Sequence, residues 1–298
     1  MLHFSPEVKA ALDQRRPIVA LESTIIAHGF SYPANLELAY ALEQCIRDRD
    51  AVPATIAILA GTVTIGCTSE QLGEIATEKA MPKASMRDLA ALAAAGKSGA
   101  TTVAATAHLA HLGGIRVFAT GGIGGVHRGA AESGDISADL GILAKVPLVI
   151  VSAGAKAILD LQRTLEYLET ACVPVVGYRT GEFPAFYSRT SGLALDCRVE
   201  SAAEAARIAE NHWHLDGGGL LIANPISEDM EIPAPEVEQW IAEILKGDDV
   251  PRGKALTPYL LRRLKERSDD RSEQANRSLV LNNAALAADI AVALAPGR

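Results

Sequence analysis

Aromatic residues make up only 4% of this 298-residue chain, so its core must close by aliphatic packing rather than by stacked rings. Cysteine is scarce as well. The four that occur, Cys45, Cys67, Cys172 and Cys197, are widely spread with no Cys-x-x-Cys spacing. That argues against a disulfide framework or a cysteine zinc site and leaves reduced thiols as the expectation. An excess of positive charge is also missing: 28 Lys and Arg stand against 36 Asp and Glu, a net charge of −8. Nucleic-acid backbones are bound by clustered cations, so no nucleic-acid partner is expected, and an anionic substrate must meet a local positive site. No apolar run is long enough to span a membrane, and Met1–Lys9 lacks the basic start and apolar run of a secretion signal. A cytoplasmic location without membrane contact is expected.

What the chain does have is a series of short apolar runs rich in β-branched residues. They are Pro17–Leu21, Thr55–Ala60, Ile115–Thr120, Pro147–Ala153, Val173–Val176 and Leu220–Ala223. Runs of this length without alternation suit strands buried on both faces. Helical spacing fills the intervals: Ala34–Arg49, Ser69–Lys79, Met86–Ala95, Thr102–Leu112, Ile158–Glu169 and Ala202–His214, with a mostly helical remainder from Pro233. Strands alternating with helices predict an α/β fold, a three-layer α/β/α sandwich around a mostly parallel sheet. No Gly- or Ser-rich linker divides the chain and no repeat is visible, so one domain over residues 1–298 is expected.

In such a fold ligands collect beyond the carboxyl ends of the strands. Glu22 follows the first run, Gly121–Gly129 the third, Lys156 the fourth and Asn224 the last. The glycine-rich segment, reading GGIGGVHRG, offers backbone amides for an anion, with His127 and Arg128 as side-chain donors. Its alternative is a plain turn with a solvated arginine. Lys156 lies among small and aliphatic neighbours, which favours a neutral, nucleophilic amine, although Asp160 four residues on offers a helical salt bridge instead. Glu22 reads equally as a general acid or as a cap for Ser23–Thr24. Asp135 and Asp139 flank Ser137 at a spacing that would place both carboxylates on one helix face, an oxygen site for Mn²⁺ or Mg²⁺, or else an acidic helix start. Lys83 and Arg87 read by default as a surface charge cluster. Asn282 and Asn283, set in an apolar stretch, are candidates for a buried polar network.

Taken together, Val19–Gly29, Ala51–Ile58, Ala95–Ala104, Val117–Ala130, Asp135–Asp139, Ala153–Lys156, Pro184–Phe186 and Ala223–Pro225 resemble the pseudouridine-5′-phosphate glycosidase family, also named after indigoidine synthase A. The likeness runs from about Ser5 to about Asp289, and the order and spacing of the motifs make it specific. One departure follows Lys83, where Ala84 and Met86 replace a valine and an arginine of the family pattern. The resemblance implies that Lys156 is the nucleophile and Glu22 the proton donor. It makes Asp135 a metal ligand, usually for Mn²⁺. Lys83, Val103, Ser137, Ala138 and Asp139 become substrate contacts, and Asn276 the amide that holds uracil. His127 and Arg128 fit the phosphate by chemistry. A homotrimer with an α/β/α core is implied as well. The activity implied is reversible cleavage of the C–C glycosidic bond of pseudouridine 5′-phosphate to uracil and ribose 5-phosphate. Two other readings stay open on the residues alone: a Schiff-base lyase or aldolase acting on another sugar phosphate, and a non-catalytic sugar-phosphate sensor.

Overall fold

Apolar strands that bury both faces need a helical layer on each side, and a computed structural model of the chain shows that arrangement. It describes residues 2–247, 250–251 and 256–295, without the side chains of 257 and 258. The strands are β1 (Leu2–Phe4), β2 (Ile18–Glu22), β3 (Val52–Leu59), β4 (Thr62–Ile65), β5 (Lys83–Ala84), β6 (Gly99–Thr101), β7 (Val117–Ala119), β8 (Val149–Ser152), β9 (Val175–Tyr178), β10 (Cys197–Val199) and β11 (Leu220–Ala223). All join one sheet, in the order β1-β4-β3-β2-β7-β8-β11-β9-β10, with β6 on β3 and β5 on β6. The pairings from β3 through β10 along that order are parallel; the antiparallel ones are β3 with β4 and β3 with β6.

The helices are α1 (Pro6–Asp13), α2 (Ala34–Arg47), α3 (Ser69–Thr77), α4 (Leu89–Ala94), α5 (Val103–Leu112), α6 (Ala130–Ser133), α7 (Ala138–Leu143), α8 (Leu161–Thr170), α9 (Ala202–His214), α10 (Ala234–Leu245), α11 (Leu256–Arg267) and α12 (Arg271–Ala293). Helix α12 packs on β2, β7 and β8 and on α2 and α9, forming one layer; α5, with α7 against it, covers β2 and β3 in another. Every residue of β2, β3, β7, β8 and β11 is buried, which is why these strands read as continuous apolar runs. Helix starts follow side-chain caps: Thr102 accepts from the Ala105 amide, Asp160 from Arg163 and Ser201 from Glu204.

The mostly parallel α/β/α architecture matches the expectation, and several local details differ. The hairpin from β3 to β4 was not anticipated; its two-residue turn, Ala60-Gly61, takes positive φ at both positions, 46° and 77°, as a right-twisted hairpin requires. Strand β3 also starts three residues earlier than its apolar run, at Val52. The expected helix Met86–Ala95 is a tight turn, Met86–Asp88, followed by α4, and the expected start at Ile158 moves to Leu161 behind the Asp160 cap. The cysteines are free thiols.

Candidate active site

Parallel strands deliver their last residues to one rim. Glu22 is the final residue of β2, Thr120 follows β7, Asn224 follows β11, and Lys156 lies just beyond β8. Two lobes of one cavity meet there. Both are lined by Glu22, Thr24, Lys83 and Lys156. The larger lobe, about 480 Å³, is polar and bordered by His127, Asp135, Ser137, Ala138, Asp139, Arg87 and Val103 at the start of α5. The smaller, about 70 Å³, is bordered by Asn276, Phe186, Leu261 and His28.

Glu22 is 8% exposed, and each carboxyl oxygen accepts a threonine hydroxyl: Oε1 from Thr120 at 2.5 Å and Oε2 from Thr24. Burial pushes this carboxyl above its ordinary range. The charges of Lys156 and Lys83 and the Thr120 hydrogen bond pull the other way, and the nearby Asp139 carboxylate adds to the rise. Glu22 therefore holds its proton at higher pH than a solvated glutamate, the property of a general acid. Its capping alternative is not what the structure shows, because Thr24 donates to Glu22 rather than being turned by it.

The helical salt bridge weighed for Lys156 does not form. Asp160 caps α8 and pairs with Arg163 at 3.5 Å, while Lys156 has no side-chain hydrogen bond or ion pair among the described residues. Its backbone is fixed instead: the Lys156 amide donates to Ile123 O at 3.1 Å, and the Ile123 amide to Gly154 O at 3.1 Å. The lysine loop and the glycine loop thus hold each other in place.

Much of the glycine loop is scaffold, while Gly121 and Gly122 border the smaller lobe. The loop amides at Ile123, Gly124, Val126 and His127 donate within the protein, to Gly154 O, Asp139 Oδ2, Thr164 Oγ1 and Asp135 O. A side chain at Gly124 would run into Ser137 and Asp139, so its glycine answers to close approach rather than to a ligand. Arg128 also departs from its expected role. It faces away from the Lys156 cavity, forms a two-pronged pair with Glu238 at 2.8 and 2.6 Å, and donates to Ile158 O and Ala157 O. Its guanidinium is occupied, so the positive lining comes from Lys83, Arg87 and Lys156. His127 does face the polar lobe. Burial holds its imidazole below the ordinary histidine range, as do the charges of Lys156 and Lys83, with Asp135 opposing.

The paired-carboxylate reading also changes. Helix α7 begins at Ala138, so Asp135 lies outside it and the two acids share no helix face. Asp139, 6% exposed, accepts from the Ala104 amide at 2.8 Å and the Gly124 amide at 2.7 Å, so both oxygens are engaged. Among the described residues no group of three or more His, Cys, Asp or Glu is gathered as ligands. Asp135 with His127 beside it fits a largely hydrated hard cation rather than an all-protein cage.

Other residues entered the site without being singled out in sequence. Thr24 and Thr120 are ordinary strand-end threonines whose only signal is position. His28 sits on the wide turn Ile25–Gly29 after β2, and burial and the Lys83 charge lower its pKa. The buried network expected at Asn282–Asn283 is made by Asn283 alone, which is fully buried and bonded to Asn224 and to the Thr120 carbonyl; Asn282 is exposed and donates to Pro225 O.

Comparison with known proteins agrees with this geometry. The family model described as "Indigoidine synthase A like protein" matches residues 7–293. A pseudouridine-5′-phosphate glycosidase of Caldanaerobacter subterraneus subsp. tengcongensis is 55% identical over 98% of this chain and 96% of its own. One of Methylobacterium nodulans is 53% identical over 100% and 89%. The crystal structure of the prealnumycin C-glycosynthase AlnA in complex with ribulose 5-phosphate superposes with a TM-score of 0.92, at 42% identity, over 99% and 97% of the two chains. An indigoidine synthase A-like protein from Thermotoga maritima gives 0.91 at 36% identity, over 99% and 96%. With matches of this extent, the chain belongs to the indigoidine synthase A-like family, whose close members here are pseudouridine-5′-phosphate glycosidases.

Proposed function

We propose that this chain cleaves the C1′–C5 bond of pseudouridine 5′-phosphate, with water, to uracil and ribose 5-phosphate, and runs backwards when both products accumulate. The observation that carries the reading is a buried Glu22, its carboxyl raised above the ordinary range, and a Lys156 with no ion-pair partner among the described residues, both bordering the same two-lobed cavity. Relatives at about half identity are named for this reaction, and the neighbour holding ribulose 5-phosphate is named as a C-glycosynthase.

A C–C glycoside cannot simply expel its base, because a uracil carbanion at C5 leaves poorly. Two-carboxylate glycoside chemistry relies on a better leaving group. Lys156 offers another course. Nζ bonds to C1′ as C1′–O4′ breaks, and O4′ takes the proton that the amine gives up. Glu22 then protonates C5. The C1′–C5 pair returns to the pyrimidine ring while the nitrogen lone pair forms C1′=N. Uracil leaves neutral. Water adds to the imine, Glu22 takes back a proton, and ribose 5-phosphate departs with the lysine restored.

The polar lobe, with Lys83, Arg87, His127, Ser137 and the start of α5, takes the ribose phosphate. The smaller lobe, with Phe186 and Asn276, takes the base. Asp135 would hold a divalent ion, Mn²⁺ by family resemblance, which supplies positive charge for substrate oxygens when bound. A homotrimer, which rests on the resemblance alone, and the cytoplasmic location expected from the sequence belong to the same proposal. The test is uracil release from pseudouridine 5′-phosphate with Mn²⁺, comparing wild type with Lys156→Ala and trapping the imine with borohydride. Release by wild type alone, with a sugar phosphate reduced onto Lys156, is the expected result. No release by wild type sinks the reading.

A further inference from the structure

Most of the machinery described so far comes from strand ends and their loops, and the long helix α12, which carries Asn276, makes a further contact there that the mechanism does not use. Asn283 on α12 is completely buried. Its Nδ2 donates to Thr120 O at 2.8 Å and to Gly121 O at 3.3 Å, and its Oδ1 accepts from Asn224 Nδ2 at 3.0 Å. The Asn224 amide is anchored on Ser152 O at 2.8 Å, and the Thr120 amide on Val151 O at 3.0 Å. Thr120 Oγ1 donates to Glu22 Oε1 at 2.5 Å. Two turns earlier on the same helix, seven residues from Asn283 and so on the same face, Asn276 borders the cavity.

These bonds make one connected path across the rim, through the ends of β7, β8 and β11. A helix–sheet contact made only of Ala, Leu and Val side chains specifies distance well and register poorly, since apolar packing has no direction. An amide that must meet two carbonyls and one amide donor fixes register within a few tenths of an ångström. Burying an asparagine needs every partner present, and here its donors and acceptor are all used.

We propose that Asn283, braced by Asn224, is a positioning residue: it sets the Thr120 hydroxyl against Glu22 and the register of α12 that places Asn276 at the cavity. It touches no substrate and acts only through these groups. The inference rests on the proposed roles of Glu22 and Asn276, and its first readout needs no turnover.

That readout is the Glu22 carboxyl followed by carbon-13 NMR on protein labelled at glutamate side-chain carboxyls, with Glu22→Gln assigning the signal. The groups that face Glu22 are Lys156, Lys83, Asp139, Thr24 and Thr120; only the Thr120 contact changes in the variants. Thr120→Val removes a hydroxyl donated to the ionised form, so Glu22 should lose its proton roughly tenfold less readily. Asn283→Ala should shift it the same way, by roughly threefold or more, because the released Thr120 no longer holds its hydroxyl on Oε1. In the double variant the two shifts should not add. Where Asn283→Ala does not fold, Asn224→Ala, which frees Asn283 Oδ1, takes its place in the cycle, with a smaller shift of the same sign. A folded Asn283 or Asn224 variant that loses thermal stability but leaves the Glu22 titration unmoved, or fully additive shifts, overturns the proposal and leaves Asn283 as a buried strut. Uracil release then separates the two ideas: wild-type turnover with an unmoved titration sinks only the positioning role, and a coupled titration in an enzyme that releases no uracil sinks only the reaction.

Discussion

Replacing Asp139 by asparagine separates a scaffold from a substrate contact. In the structure Asp139 joins two segments distant in sequence, accepting from the first-turn amide of Ala104 on α5 and from the Gly124 amide of the glycine loop, at 2.8 and 2.7 Å. Both bonds are buried and charge-assisted. Asparagine keeps the shape and one acceptor, but turns an NH₂ group toward the other amide. One bond to a charged acceptor is lost, roughly 1.5–3 kcal/mol, and one buried N–H is left unpaired, roughly 1–3 kcal/mol more. Partial relaxation brings the expected loss to about 3–5 kcal/mol, which for a chain of this size lowers Tm by roughly 5–10 °C. Urea unfolding and thermal melts measure it. Because the Asp139 charge adds to the rise of the Glu22 carboxyl, the variant should also lose the Glu22 proton at lower pH. A stability loss under about 1 kcal/mol would refute the reasoning and return Asp139 to the role of substrate contact.

Glu22→Gln should lower kcat by roughly 10²–10⁴-fold while becoming progressively more stable relative to wild type as pH rises. The folded carboxyl is raised, so above the ordinary glutamate value of 4.5 the unfolded chain ionises first and wild type loses stability until the folded group also ionises; glutamine has no such slope. A Tm difference that does not change with pH would remove the buried-acid assignment. Arg128→Ala should leave kcat and KM within about twofold while costing about 1–2 kcal/mol of stability, because its partners are Glu238 and two backbone carbonyls. A large rise in KM would put Arg128 back on the phosphate. Chelation should lower turnover and Mn²⁺ restore it, and manganese EPR should register weakened binding in Asp135→Ala; unchanged binding would move the ion elsewhere.

The architecture was legible because burial on both faces leaves an unmistakable mark. The runs at β2, β7, β8 and β11 are continuous and apolar for the same reason that they are central. Strands β1, β5, β6 and β10 were not legible: each has two or three residues, too few to show any period. Their pairing is decided by neighbours in space. The site divides along the same line. Glu22, Lys156 and Asn224 were visible by the rule that chemistry follows strand ends. His127 and Arg128 read in sequence as one donor pair, yet His127 bridges to Leu159 while Arg128 lies in the turn closed by the Ala130 amide on His127 O, and only the first faces the cavity. Asp135 and Asp139 were paired by helical spacing across a stretch where the helix has not begun. The threonines on Glu22 could not be read, because nothing in a threonine announces the carboxyl it will meet ninety-eight residues away.

A carboxyl and an amine bordering one cavity face a difficulty the fold has to resolve. Joined as a salt bridge they would cancel: the acid would have no proton to give and the amine no lone pair. Burial alone does not prevent this, since an ion pair is the usual refuge of two buried charges. The threonines alter the balance. With Thr24 and Thr120 donating to separate oxygens, Glu22 is held by its own strand end and by β7, and no ion pair with Lys156 forms. Their hydroxyls favour the carboxylate, so they act against the protonated state, and burial together with Asp139 outweighs them. The acid is thus set by several neighbours at once: burial and Asp139 raise the carboxyl, while Lys156, Thr120 and Lys83 lower it. Two of those neighbours, Thr120 and Asp139, are themselves fixed by backbone bonds to other strands and helices. It follows that Glu22 should be tuned from outside the cavity, through the positions that hold Thr120 and Asp139, as well as through Lys156 and Lys83 within it.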